Sequence, residues 1–145
     1  MLHRKNILRR HVSSLIAKKS GIFHLNTGDS YRPVSVTLDI PGLIPTIRKY
    51  EEDITEMTTI LEKLPVLKLT YEDDIEADPI VAYHKICQFL NVQPQNVAPN
   101  LVRINARPLS ELIQNYREVF DTLSGTPYEW MLESDKSRTL YDITF

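Results

Sequence analysis

The chain has 145 residues, is 42% hydrophobic and 25% charged, and carries a net charge of −2. That length suits one domain, or one large piece of one; the composition is ordinary for a globular chain, and no apolar run approaches the roughly 18 residues a membrane span needs. The only cysteine, Cys87, excludes an intramolecular disulfide and a cysteine-based zinc site, so a reducing compartment, most simply the cytoplasm, is expected.

The charge is unevenly distributed. The first 19 residues hold six basic residues and no acid, while the rest hold 11 basic and 19 acidic residues. Such asymmetry points to a local anion site, or to a solvated basic helix face, rather than to a nucleic-acid-binding surface. Ile7-Leu8 runs straight into Arg9-Arg10-His11, so the start has no apolar core of a secretory signal; an Arg-rich, acid-poor transit peptide remains compatible with it.

In chain order, Met1-Leu2-His3-Arg4 reads as the end of a buried strand. Asn6 is a helix cap, and Leu8, Val12, Leu15, Ile16 and Lys19 follow at helical spacing until Ser20-Gly21. Residues 22–33 form a turn-rich loop closed by Pro33. Val34, Val36 and Leu38 alternate with polar residues and predict a short strand. A helix begins at Pro41, with Asp39 or Ile40 near its cap. Its stripe of Ile44, Ile47, Tyr50, Ile54, Met57, Leu61 and Leu64 is core or partner-packing surface, and Pro65 ends it. Residues 66–71 predict a second strand. Asp78-Pro79 opens a helix whose buried face is read as Tyr83, Ile86, Cys87 and Leu90. After a Pro- and Asn-rich connection, a helix is expected from about Leu109 to Leu123, stopping at Gly125. Helices separate the two clearest strands, which predicts a parallel α/β sheet; so few strands make it an incomplete one.

Two segments carry candidate chemistry. In the first, Arg4 stands where a strand feeds a helix start, a place where unpaired N–H groups and the helix dipole favour phosphate. Arg4 can add a bidentate clamp, and Arg9 and Ser13, four residues apart, share one helix face. The second is Leu69-Thr70-Tyr71-Glu72-Asp73-Asp74, followed by Asp78-Pro79 and then Ile86 to Val92. Glu72 and Asp73 read as helix caps or ion-pair partners of the basic first helix, since adjacent strand-end acids point apart. His3, His11, His24 and His84 have no metal-ligand spacing, and no metal is expected. Trp130 reads as packing.

Taken in order, these segments resemble the nucleotide-dependent sulfotransferase superfamily, in its bacterial carbohydrate-type version, over nearly the whole chain. The resemblance implies the helix-rich C-terminal part of a sulfotransferase fold with an incomplete P-loop-like parallel sheet, forming one truncated domain over residues 1–145. It implies 3′-phosphoadenosine 5′-phosphosulfate as co-substrate. Arg4 and Ser13 would hold the 3′-phosphate, Asn6 and Arg9 would lie in the same motif, Tyr71 would lie near the adenine, and Arg103 or Arg107 would be a late basic contact. The implied parent reaction is sulfuryl transfer to a carbohydrate or similar hydroxyl.

The chain departs from the family pattern in one respect: it contains no Gly/Pro-x-Ser-Gly-[Ser/Thr]-[Ser/Thr] segment, the loop that binds the 5′-phosphosulfate. The family's base also tends to precede the Arg motif, so no catalytic residue is assigned and the chain is expected to be inactive without an N-terminal segment. A non-catalytic remnant that binds an adenosine 3′,5′-bisphosphate-type nucleotide or a partner chain, itself included, is the alternative. A helical interaction protein whose basic start binds acidic partners is a third reading.

Overall fold

The computed structural model describes residues 1–133 and is a mixed α/β structure with a small parallel sheet. The chain divides into two compact units. The first contains Met1–Lys5 and Lys49–Leu101; the second contains Asn6–Arg48 and, among the described residues, 102–133.

In the first unit, β1 (Leu2–His3) pairs in parallel with β2 (Leu69–Thr70), Leu2 opposite Leu69 and His3 opposite Thr70. The Leu69 N–H donates to the Met1 carbonyl at 2.9 Å. β1 lies where expected, but Leu2 is exposed rather than buried, because among the described residues β2 is its only strand partner. β2 is shorter than the predicted strand over 66–71. Tyr71 begins a helical turn, α3 (Tyr71–Asp74), instead of ending a strand. The reason is local. The Thr70 hydroxyl accepts from the Asp73 N–H, and the Asp74 carboxylate reaches back to the Thr70 N–H at 2.6 Å, a reciprocal cap.

The helix α4 (Pro79–Leu90) starts as its sequence predicts. The Asp78 carboxylate accepts from the Ile80 N–H, Pro79 occupies the first turn, and Asn91 closes the helix with a left-handed φ of 53°. Its face differs from the expectation. Ala82 and Cys87 are buried and Tyr83 half-buried, but Ile86 is exposed and Leu90 is 59% exposed, beside an exposed Phe89. α4 packs on α3, whereas the end of its apolar face stays exposed.

In the second unit, α1 (Ile7–Ser20) is built as its sequence dictates. The Asn6 side chain accepts from the Arg9 N–H at 2.9 Å, and Gly21, at φ 72°, donates its N–H to the Ala17 carbonyl. Leu8, Val12 and Ile16 are fully buried at helical spacing. The expected strand at 34–38 is reduced to one parallel bridge, Val36 with Ile113. Val36 and Leu38 are still buried, so the alternation correctly marks the inward side. The partner is only a short break between helices, and the Asn115 side chain takes the place of a continuing ladder. Its amide accepts from the Leu38 N–H and donates to the Leu38 carbonyl, at 2.9 and 3.0 Å.

That same bridge divides the helix expected over 109–123. Ile113 adopts an extended conformation, leaving α5 (Leu109–Leu112) and α6 (Tyr116–Leu123). The long helix α2 (Ile40–Leu61) begins in the second unit, where Leu43 and Ile47 are buried, and continues in the first; it stops four residues short of Pro65. The described chain ends with α7 (Trp130–Glu133), whose Met131 and Leu132 pack beneath α1 in the second unit. No described helix is long and apolar enough to cross a membrane.

Candidate functional site

The candidate residues fall into two groups, one in each unit. In the first unit, the end of β1 delivers Arg4 and Lys5 to the acidic turn α3. The Arg4 guanidinium lies over the Tyr71 ring, 3.8 Å from its centroid, a cation–π arrangement. Its Nε is 3.9 Å from Glu72 Oε1, a loose ion pair. The Lys5 backbone N–H donates to Glu72 Oε2 at 2.9 Å, and the Lys5 ammonium pairs with Asp73 at 2.5 Å. That hydrogen bond raises the pKa of Lys5 above the usual lysine value and holds the Asp73 carboxyl below the usual carboxylate range. The turn is anchored from behind by Asp74, which is buried and takes hydrogen bonds from the Lys85 ammonium and the Thr70 N–H; both hold its pKa down.

Beside this cluster is an open cleft of about 440 Å³ lined by His3, Arg4, Lys5, Glu51, Ile54 and Thr55. His3 Nδ1 is a buried atom without a hydrogen-bond partner. The arrangement brings two cations to the edge of the cleft where an anion can meet them, and the orphaned imidazole nitrogen can add a donor or acceptor.

In the second unit, Asn6 and Arg9 are engaged by the protein's own main chain. Asn6 is 3% exposed and donates its amide to the Met131 carbonyl at 2.8 Å while capping α1. Arg9 is 4% exposed, and its guanidinium donates to the carbonyls of Asn105 and Arg107 at 3.2 Å. Ser13 lies on the same face of α1, half-buried, and its hydroxyl accepts from the Asn105 side-chain amide at 3.0 Å. Arg103 is half-buried, while Arg107 pairs with Glu111 at 3.5 Å. Thus one face of α1 meets the segment 103–107 through Arg9 and Ser13.

Several participants are not visible in the sequence reading. Asn105, which holds Ser13, lies 92 residues away from it, and nothing local marks it. Lys85, which anchors the acidic turn, stands on α4 one turn from its buried face. Glu51, which stands outside the apolar stripe of α2, also lines the cleft. Among the described residues, no group of three His, Cys, Asp or Glu side chains is placed to hold a metal ion. No protein-family model, no curated protein and no solved structure matches the chain.

Proposed function

We propose that the chain is a sulfotransferase-like, cytoplasmic protein that binds the 3′-phosphoadenosine end of 3′-phosphoadenosine 5′-phosphosulfate, and whose parent reaction moves a sulfuryl group to a carbohydrate or similar hydroxyl. The observation that carries this reading is Arg4 at the end of β1, stacked on Tyr71 beside a cleft that Lys5 and His3 also line. A guanidinium seated over a ring is held in place at the edge of the cleft, which suits a phosphate clamp, and the cleft has room for a group of nucleotide size.

The same physics argues for binding without turnover. Sulfuryl transfer needs donors on the bridging and leaving oxygens and a base for the nucleophile. The sequence has no phosphosulfate-loop motif to supply the former. Calorimetric titration with adenosine 3′,5′-bisphosphate, with 5′-AMP as control, tests the reading. The expected result is binding that needs the 3′-phosphate and weakens at least about tenfold in Arg4→Ala, the loss of one charge-assisted contact. Equal affinity for the two nucleotides would end it.

A second reading is favoured by the open end of α4, where Ile86, Phe89 and Leu90 are exposed. A non-catalytic remnant that uses this face to bind another chain, or a second copy, would show concentration-dependent mass in sedimentation, lost in Phe89→Ser.

A further inference from the structure

We propose that Glu72 and Asp73 form an internal counter-anion for Arg4 and Lys5, so that the cleft accepts a doubly charged phosphate monoester and rejects singly charged anions. The inference rests on the cleft being an anion site and adds the rule by which it selects.

Each cation at the end of β1 already faces a carboxylate of α3: Arg4 faces Glu72, and Lys5 faces Asp73. The charges at this edge of the cleft therefore cancel before any ligand arrives, and Glu51, which also lines the cleft, adds a further negative charge. An incoming anion has to replace carboxylates, not fill a vacancy. A singly charged phosphodiester offers no more charge than the carboxylate it displaces, and Glu51 opposes it. A phosphate monoester, doubly charged above its second pKa of about 6, can satisfy both cations at once.

The surrounding geometry lets the exchange occur by side-chain rotation. The turn itself is fixed by the Thr70 cap and by Asp74, held between Lys85 and the Thr70 N–H. Glu72 and Asp73 can swing away without unfolding it. Tyr71 keeps Arg4 in place when Glu72 leaves, because the ring contact does not depend on the carboxylate. The two pairs differ in weight. The Arg4 and Glu72 side chains are 16% and 25% exposed, whereas those of Lys5 and Asp73 are 47% and 57% exposed, so water weakens the second pair more. Glu72 is the stronger competitor despite its looser contact with Arg4, because it is less exposed and its carboxylate also accepts from the Lys5 N–H at 2.9 Å.

The test is an amide-resolved NMR titration of the full chain at about pH 8, where methyl phosphate is doubly charged and dimethyl phosphate singly charged. Native protein is compared with Glu72→Gln and with Glu72→Gln/Asp73→Asn, and the unchanged amide spectrum away from α3 verifies each fold. Native protein is expected to prefer methyl phosphate. In the double variant that preference collapses, with dimethyl phosphate gaining about three- to tenfold and most of the gain already present in Glu72→Gln. Unchanged selectivity, or weaker binding of both anions in the variants, overturns the inference, because the carboxylates would then support the cations and not compete for them. Absence of any shift at Arg4, Lys5 and Tyr71 in every protein overturns both the inference and the anion-site reading. Adenosine 3′,5′-bisphosphate is the third probe. If selectivity collapses as expected but the nucleoside adds nothing over methyl phosphate, the counter-anion stands and the nucleotide reading falls.

Discussion

Removing the Arg9 side chain separates a role in holding the fold from a role in holding a ligand. In Arg9→Ala, the carbonyls of Asn105 and Arg107 lose a donor at 3.2 Å. A hydrogen bond to a charged donor contributes about 1.5–3 kcal/mol, and two carbonyls are affected. Both bonds are only partly buried, so water recovers some of that; the loss of the aliphatic stem adds to it. The net cost is about 2–4 kcal/mol, or about 6–12 °C in the melting temperature at roughly 3 °C per kcal/mol. Arg9→Lys keeps the charge and can reach one carbonyl, so it should recover about half. Thermal melts followed by circular dichroism measure the loss, and hydrogen exchange should show the segment 103–107 opening first. A change below about 1 kcal/mol, with exchange there unaltered, would refute the clamp; loss of nucleotide affinity at an unchanged melting temperature would move Arg9 to the ligand.

Other expectations follow from burial and charge. Leu8→Ala, at a fully buried position of α1, should cost about 3 kcal/mol in urea unfolding, whereas Leu90→Ala, at the open end of α4, should stay within about 0.5 kcal/mol; equal costs would contradict the assignment of the two faces. The carboxyls of Asp73 and Asp74 are held below their usual range by Lys5 and Lys85, so their stabilisation is complete above the ordinary aspartate value of about 3.9 and is lost as pH falls through their lower folded values. Asp74→Asn should flatten the acid limb of a stability–pH curve, and an unchanged limb would speak against the anchor. Burial, and then Lys18, push the His11 pKa down, so the unfolded chain takes up the proton first; stability should fall as pH drops below about 6.5, and His11→Gln should remove that component.

What the sequence made legible is what neighbours within a turn or two decide. α1 is readable from end to end because Asn6, the Leu8–Val12–Ile16 spacing and Gly21 are local signals that agree. The start of α4 is readable for the same reason, at Asp78-Pro79. Its buried face is not, because periodicity says which residues lie together and not how far along the helix the cover extends. The division of 109–123 is set by Val36, far away in sequence, pairing with Ile113. Tyr71 fails differently. The strand-like segment Val66-Leu67-Lys68-Leu69 gives a signal that overrides the cap signal in Thr70-x-x-Asp73, although the cap is just as local.

That misreading matters for the site. Were Tyr71-Glu72-Asp73 extended, alternate side chains would point to opposite faces, and Tyr71 and Glu72 could not both face Arg4. A helical turn places consecutive side chains around one end, so Tyr71 stacks on Arg4 while Glu72 and Asp73 reach Arg4 and Lys5. The cation cluster and its competing carboxylates are thus one consequence of the Thr70 cap. Thr70→Val should test this directly. Loss of the hydroxyl acceptor loosens the first turn, at a cost of about 1 kcal/mol, and should shift the Tyr71 ring resonances together with the Lys5 amide. A variant that loses the cap yet keeps both sets of resonances in place would show that the strand end, not the turn, holds the cluster together.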